Sequence, residues 1–551
     1  MKRSFAAFVA ALLLAGCTSA GGPQSSSSSA PTSGEGGRHP WTIPHVLRYA
    51  TAGDIAGLNP HLVQQLVLQY MSNLTMAWLV RYDSHNLPIP ELATIVPTQE
   101  NGGISKDGKT ITWHLRHGVR WSDGVPFTAG DVIFSTNVVL NPANNEVGRD
   151  GWDLITKMDE PDKYTVVYHL KKPYGAYLPT FFASAGAQPC VLPKHLLANL
   201  PNINNAPYNA LPVGIGPFRY TKWTRGDSVE MEANPYYWRG LPKLKQVVFK
   251  VIPDRNTLLT ALQTHEIDLV LPVAAAYYPR YKALPDVTVL RQPSYLFGHL
   301  DFQNQHVPLD DVRVRRALRL AIDRKQIIDT VRHGIGILQD TPISSTNPAF
   351  DSHIPLAPFD LAQASALLDQ AGWKMGADGV RAKGGRKLNL VFATSSETPD
   401  TDTQIELMRA NWKKIGVTID ERHYPSTLLF APLAQGGIVL SGKWDMVIFQ
   451  WGGDAIGDLT NLYACYQIPP QGQNDPRYCN KDVDAAMRTF ETLYSPKARQ
   501  PYADIIQQHI ASDVPTVIMQ IAEDVYAYNS DLKNFHPNQV SQFDDFMNVD
   551  I

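Results

Sequence analysis

The short run Met446–Phe449 constrains this chain more sharply than any other stretch of its size. It is continuously apolar and rich in branched and aromatic side chains, a composition that suits a buried strand. It stops at Gly452-Gly453, where the backbone can turn and another molecule can approach closely. Trp451 stands before the glycines and a carboxylate, Asp454, after them. A carboxylate at the end of a buried strand, beside an indole, suits a bound ammonium group through charge pairing and hydrogen bonds. The ring could add a cation–π contribution of roughly 0.5–2 kcal/mol. The same residues also describe a polar turn whose aspartate caps its own backbone.

The 551 residues exceed one ordinary domain, and at ~150 residues each they predict about three. With 44% apolar and 18% charged residues the chain has the make-up of a globular protein with ample core. The net charge is −3 and the basic residues form no long run, which argues against nucleic acid as a partner.

The first residues read as a targeting segment and not as fold. Lys2 and Arg3 form a positive start, and Phe5 to Leu14 form an apolar core too short to span a bilayer. The run closes on Leu14-Ala15-Gly16-Cys17, which resembles a bacterial lipobox. That resemblance implies a signal peptide over 1–17, with Cys17 acylated as the lipid attachment point. Residues 18–43 then read as a flexible Ser/Gly/Pro tether. No later stretch approaches the ~20 apolar residues of a membrane span. The expected location is the periplasm or the outer face of the cytoplasmic membrane. In such an oxidising compartment Cys465 and Cys479, close in sequence, are natural disulfide partners, and Cys190 is left as a buried thiol. No Cys-x-x-Cys occurs and the histidines are scattered, so neither a metal site nor a cofactor is expected.

Along the body, Val46–Ala50 reads as a first strand and Leu66 to Leu79 as a largely helical stretch. Thr110 to Arg116 alternates as a half-buried strand does. Thr128 and Asp131 are spaced as a capping box that opens a helix. Val314, Leu318, Ala321, Ile322 and Ile328 form one helical stripe behind an Asp310 or Asp311 cap. Asp360 caps a further helix that Gly372 closes.

The segment Trp113 to Ser135 resembles the signature of the family 5 extracytoplasmic solute-binding proteins, the peptide- and nickel-binding class that serves ABC importers. The family pattern of Leu-Arg-x-Gly-Val, an aromatic, Asp-Gly, Pro-Phe-Thr-Ala and Asp-Val is all present. Further matches follow in order: Pro193-Lys194-His195, Val213-Gly214-Ile215-Gly216-Pro217-Phe218, Asn234-Pro235-Tyr236-Tyr237-Trp238, and Pro308 to Arg324. The resemblance covers roughly residues 45 to 530. It implies an α/β, two-lobed periplasmic-binding-protein fold (type II, cluster C-like) with an extra domain inserted in the first lobe. The implied boundaries are a first lobe over 44–299 including the insert near 84–205, a second lobe over 300–520, and a return to the first lobe over 521–551. Leu296 to Phe302 and Thr516 to Ile521 are the expected hinge crossings.

In peptide-binding members a Trp-x-Gly/Ala-Asp segment supplies the aspartate that pairs with the ligand's α-ammonium. Trp451-Gly452-Gly453-Asp454 resembles it residue by residue, which makes Asp454 the leading ligand-binding candidate. Asp458 echoes a second acidic position of some dipeptide binders and equally suits a turn cap. Arg280, Arg381 and Arg422 stand as undifferentiated candidates for a ligand carboxylate. Gln303 replaces the family's usual Asn, which leaves any contact at that position open. The implied protein is a lipid-anchored, monomeric peptide-capture component that hands di- or oligopeptides to membrane permease subunits. The same fold with a nickel chelate, an oligosaccharide, haem or glutathione as ligand is the alternative, and His299 or His423 would then matter. An enzyme is not expected: the chain lacks Gly-x-Ser-x-Gly, His-Glu-x-x-His and a P-loop. His114 and His117, at a strand end, read as surface or packing residues.

Overall fold

The computed structural model describes residues 37–551 except 64, 84, 147–148, 150, 185–188, 397–398, 541 and 544. The signal segment and Cys17 therefore lie outside the described residues. The chain divides into two units, 1–42 and 43–551. In the described part of the first, the His39 ring stacks on Trp41 at 4.6 Å.

The second unit is built on one ten-stranded sheet. In spatial order its strands are Thr418–Tyr424, Asn389–Ser395, Met446–Gly452, Val287–Phe302, Thr516–Asn529, Leu269–Val270, Val46–Thr51, Gln246–Val251, Ser228–Ala233 and Phe218–Thr224. Val287–Phe302 and Thr516–Asn529, the two longest, run antiparallel through the middle, with register breaks after Pro293 and Gly298. Parallel pairs flank them on both sides: Val46–Thr51 with Gln246–Val251, and Asn389–Ser395 with Thr418–Tyr424. Parallel strands need both faces covered, and their residues show why these segments comply. Met446 and Ile448 enter a core with Leu318, Phe392 and Trp412, while Val447 enters another with Leu429 and Trp444. The apolar run is thus buried from both sides, as expected of it.

A separate three-stranded sheet places Thr165–Leu170 between Thr110–His114 and Ile155–Asp162. It has its own core of Trp113, Trp121, Trp152, Phe181 and Phe182. The helix Ala129–Leu140 packs into that core, and its entry is fixed as the sequence predicts, Thr128 N donating to Asp131 Oδ2 at 2.8 Å.

Two expectations need correcting. The helical stretch from Leu66 ends at Thr75, because Met76 turns extended and the chain then crosses the core edge through Trp78 and Leu79. The stripe from Val314 to Ile328 is two helices, Val312–Leu320 and Arg324–Thr330. Asp311 caps the first, and Asp323 opens the second by accepting from Gln326 N at 2.9 Å. Val314, Leu318, Ala321 and Ile322 nonetheless share one core, so burial survives the break in the helix. Cys465 and Cys479 are joined, and Cys190 is buried as a free thiol. Among the described residues no helix is long and apolar enough to cross a membrane.

Candidate ligand-binding site

The carboxyl ends of Gln246–Val251 and Leu269–Val270 in one half of the sheet, and of Asn389–Ser395 and Thr418–Tyr424 in the other, lead into residues that line one cavity of about 610 Å³. In open α/β sheets ligands collect at such strand ends. Arg255 and Tyr277 line it from one side, Ser395 and Ser426 from the other, and Gly298 and Gln520 of the long central strands form its floor. The strand Met446–Gly452 supplies Ile448, Phe449 and Gln450. It pairs with Asn389–Ser395 only at Met446 and Val447. Among the described residues, the edge from Ile448 onward has no strand neighbour on that side. Such an edge presents backbone donors and acceptors that an extended ligand can match.

Asp454 lies beyond the cavity lining, at the end of the same strand. Gly453 N donates to Tyr295 O at 2.9 Å, and a side chain there would meet that oxygen at 3.1 Å from its Cβ. Gly453 is therefore a site of close backbone approach, whereas Gly452 is exposed. Asp454 Oδ1 accepts from Ile456 N at 3.1 Å and Asp458 N at 2.9 Å. The aspartate thus does cap its own turn, and that bond also fixes where its carboxylate sits. Burial and the neighbouring Asp458 carboxylate push Asp454 up to about 7, the backbone N–H groups offsetting only part of the rise. Among the described residues no cation forms a direct ion pair with it.

The groups around Asp454 come from distant parts of the chain. Tyr82 and Tyr174 feel its charge, and burial pushes the Tyr174 hydroxyl up to about 12. Arg499 is held below its ordinary range by burial, with Asp454 and Asp458 acting the other way. Burial and Asp458 likewise raise Glu491, which accepts from the Tyr466 hydroxyl at 3.1 Å. Asp458 accepts from Thr460 N at 2.9 Å, the turn-cap role foreseen for it. Trp451 packs against Phe297, Ile518 and Ile521 of the central strands, its ring 6.0 Å from Phe449.

Two groups in the cavity wall escaped sequence reasoning or were left open by it. Arg332 donates through Nε to Ile335 O at 3.1 Å; burial lowers its pKa while Asp400 and Glu523 oppose the shift. Nothing local distinguishes it from the chain's other arginines; only the path of the chain past Arg324–Thr330 brings it to the cavity. His299 also lines the cavity, its Nδ1 2.8 Å from Asp301 Oδ1 and its ring 4.2 Å from Phe449. The three arginines named from sequence do not line it. Arg381 is buried on Ile415 O, Trp373 O and Asp369, Arg422 pairs with Asp420 at 2.7 Å, and Arg280 donates to Asn256 at 2.8 Å. His423 sits with Glu421 at 2.8 Å and Asp402 at 3.8 Å, where Arg409 already pairs with Glu421. His117 stacks on Tyr164 at 3.9 Å.

The segment following helix Lys481–Phe490 reaches across to the three-stranded domain. Gly175 N donates to Glu491 O at 2.6 Å, Tyr174 N to the Tyr494 hydroxyl at 2.9 Å, and that hydroxyl to Gly108 O at 2.6 Å. Arg499 donates to Gly175 O. Tyr174 and Arg499, the members of this set that feel the Asp454 charge, are thereby fixed beside it.

Residues 88–473 match the family described as bacterial extracellular solute-binding proteins, family 5. This chain belongs to that family. The oligopeptide-binding protein AppA of Bacillus subtilis is 25% identical over 448 residues, 80% of each chain. The dipeptide-binding protein of Escherichia coli is 26% identical over 487 residues, 82% of this chain and 83% of its own. Among solved structures, NikZ from Campylobacter jejuni in complex with Ni(L-His) superposes with a TM-score of 0.73 at 26% identity, covering 92% of this chain and 98% of that one. As a family 5 member the protein has the two-lobed α/β fold with its extra domain, is extracytoplasmic, and is a solute-binding component of ABC transport, not an enzyme.

Proposed function

We propose that this protein captures peptides with a free amino terminus between its lobes and delivers them to an ABC permease. Asp454 carries the reading: a part-buried carboxylate, pushed up to about 7, with no direct cation partner among the described residues. Leaving such a group unpaired is costly, and a ligand ammonium is what would relieve it. The open strand edge from Ile448 to Gly452 would hold the peptide backbone, and the cavity would take side chains with water filling unused space. Arg332 is the proposed partner for a ligand carboxylate or backbone carbonyl. The lobes would be 44–299 and 300–520, with 521–551 returning to the first, and closure would bend the two long central strands. Attachment through an acylated Cys17 and action as a monomer complete the reading.

A metal chelate is the second reading, favoured by His299 in the cavity wall with Asp301 on Nδ1, an arrangement that leaves Nε2 as the ligating nitrogen. Thermal unfolding separates the two. Di-, tri- and pentapeptide pools, each free and N-acetylated, and nickel–histidine would be added to ligand-free protein and to Asp454→Asn. A ligand at 100 times its Kd stabilises by about 2.7 kcal/mol. Shifts with free amines that are lost on acetylation and in Asp454→Asn support peptide capture. A shift with nickel–histidine alone would replace it with the chelate.

A further inference from the structure

A second cavity, of about 600 Å³, lies between helices Val312–Leu320, Leu361–Gln370 and Pro496–Asp513. It shares no lining residue with the cleft cavity. Its walls are mainly apolar, from Leu320, Ile354, Leu356, Pro358, Leu367 and Ala511. Leu356 is left 49% exposed, as a side chain kept at the rim would be. Two guanidinium groups, Arg316 and Arg319, face this apolar surface.

Part of their role is structural. Arg316 Nε donates to Ser512 O and Arg319 Nη1 to Ala511 O, each at 2.8 Å, and Arg315 takes Asp513 O and Val514 O. Cations at the end of helix Pro496–Asp513 complement its dipole. Arg315 alone satisfies that need with several bonds. Arg316 and Arg319 each spend one donor of five on it. Among the described residues no carboxylate pairs with either, and Arg319 Nε is buried without an acceptor. Burial lowers the Arg319 pKa and, although Asp340 acts against the shift, its neighbours Arg324 and Arg316 deepen it. Two adjacent cations with spare donors, set in an apolar recess, match a ligand with an anionic oxygen-bearing head and an apolar tail. A recess of this size is concave and fits a small molecule, not a flat protein face.

We infer that this cavity is a second binding site, for a small anionic amphiphile whose carboxylate or phosphate head is held by Arg316 and Arg319. The inference stands apart from the peptide reading. The test is calorimetric titration of the whole chain with decanoate, decyl phosphate, decanol and decyltrimethylammonium, all below micelle formation. Saturable one-site binding of an anion, at least tenfold weaker for decanol and for the cation, is the expected result. The two anions tell carboxylate from phosphate. Arg316→Gln with Arg319→Gln should weaken anion binding at least tenfold. Because that pair also removes the bonds to Ser512 O and Ala511 O at the helix end, Ala511→Phe fills the recess and keeps both arginines; it should abolish decanoate binding and leave peptide binding unchanged. Asp454→Asn should leave decanoate binding untouched. Decanol binding as tightly as decanoate, decanoate binding that survives Ala511→Phe, or no saturable binding overturns the site. Arginine-dependent binding only to phosphatidylglycerol vesicles would assign the patch to a membrane surface and overturn it as well.

Discussion

Asp454 concentrates the proposed recognition on one carboxylate, and its protonation gives that proposal a sign. Its folded-state value, near 7, lies above the unfolded value near 4. The associated stability is therefore present below about pH 4 and lost as the pH rises through about 7. The melting temperature of empty protein should fall over that interval, and Asp454→Asn should flatten the slope. An ammonium ligand favours the anion, so binding near pH 6 should release protons and tighten toward pH 7.5. Calorimetry in buffers of different ionisation enthalpy reads that release, and Asp454→Asn should remove it. His61 shows the opposite arrangement, a buried group already satisfied. Its Nδ1 meets Glu146 Oε2 and its Nε2 meets Cys190 O, each at 2.7 Å. Two acceptors require two ring hydrogens, so the ring is a cation. Burial alone would lower its pKa, but Glu146 and the Cys190 side chain raise it. That stability is present below about pH 6.5 and lost as the pH rises through the higher folded value. Breaking a buried pair costs about 3–5 kcal/mol, so His61→Gln should lower the urea midpoint strongly at pH 6.

At the scale of elements, closure around Asp454 depends on a segment with no regular structure. An added methyl at Gly175 would fall 2.2 Å from Leu493 O, which is backbone and cannot swing aside. Gly175→Ala should therefore push Glu491–Tyr494 off the three-stranded domain and weaken ligand binding about tenfold or more. Small-angle scattering should show an expanded liganded state, while Asp454→Asn weakens binding without that expansion. The Cys465–Cys479 bridge acts on the same side, 14 residues apart. In the chain-entropy model a loop of about that length is worth ~3 kcal/mol, so replacing both cysteines by serine should cost that order of stability in chemical denaturation. The helix break at Ala321–Asp323 shows what periodicity leaves undecided. A stripe of apolar residues reports which side chains face the core, and two short helices meet that demand as well as one long helix does.

For the whole molecule, the two central strands make lobe motion and ligand capture one problem. They are hydrogen-bonded to strands of both halves, so bending them changes the cavity floor at Gly298, His299 and Gln520. The sequence by itself determined the local parts whose causes are local. The run Met446–Phe449 had to be buried, Thr128 and Asp131 had to open a helix, and Gly452-Gly453 marked a turn, whereas the approach of Gly453 to Tyr295 O is decided by the fold. Motif resemblance over Trp113 to Ser135 then supplied the family and with it the two-lobed fold. Asp454 stood out because strand end, glycine pair and carboxylate are adjacent in sequence. Arg332, Arg499, Tyr174 and Gly175 carried no such signal: their roles depend on neighbours tens to hundreds of residues away. The naming of Arg381 failed for the same reason, since only the fold shows its guanidinium committed to Ile415, Trp373 and Asp369. Burial from both faces of a strand is written in consecutive residues, whereas the environment of a charge is set by whichever distant segments the tertiary structure packs against it.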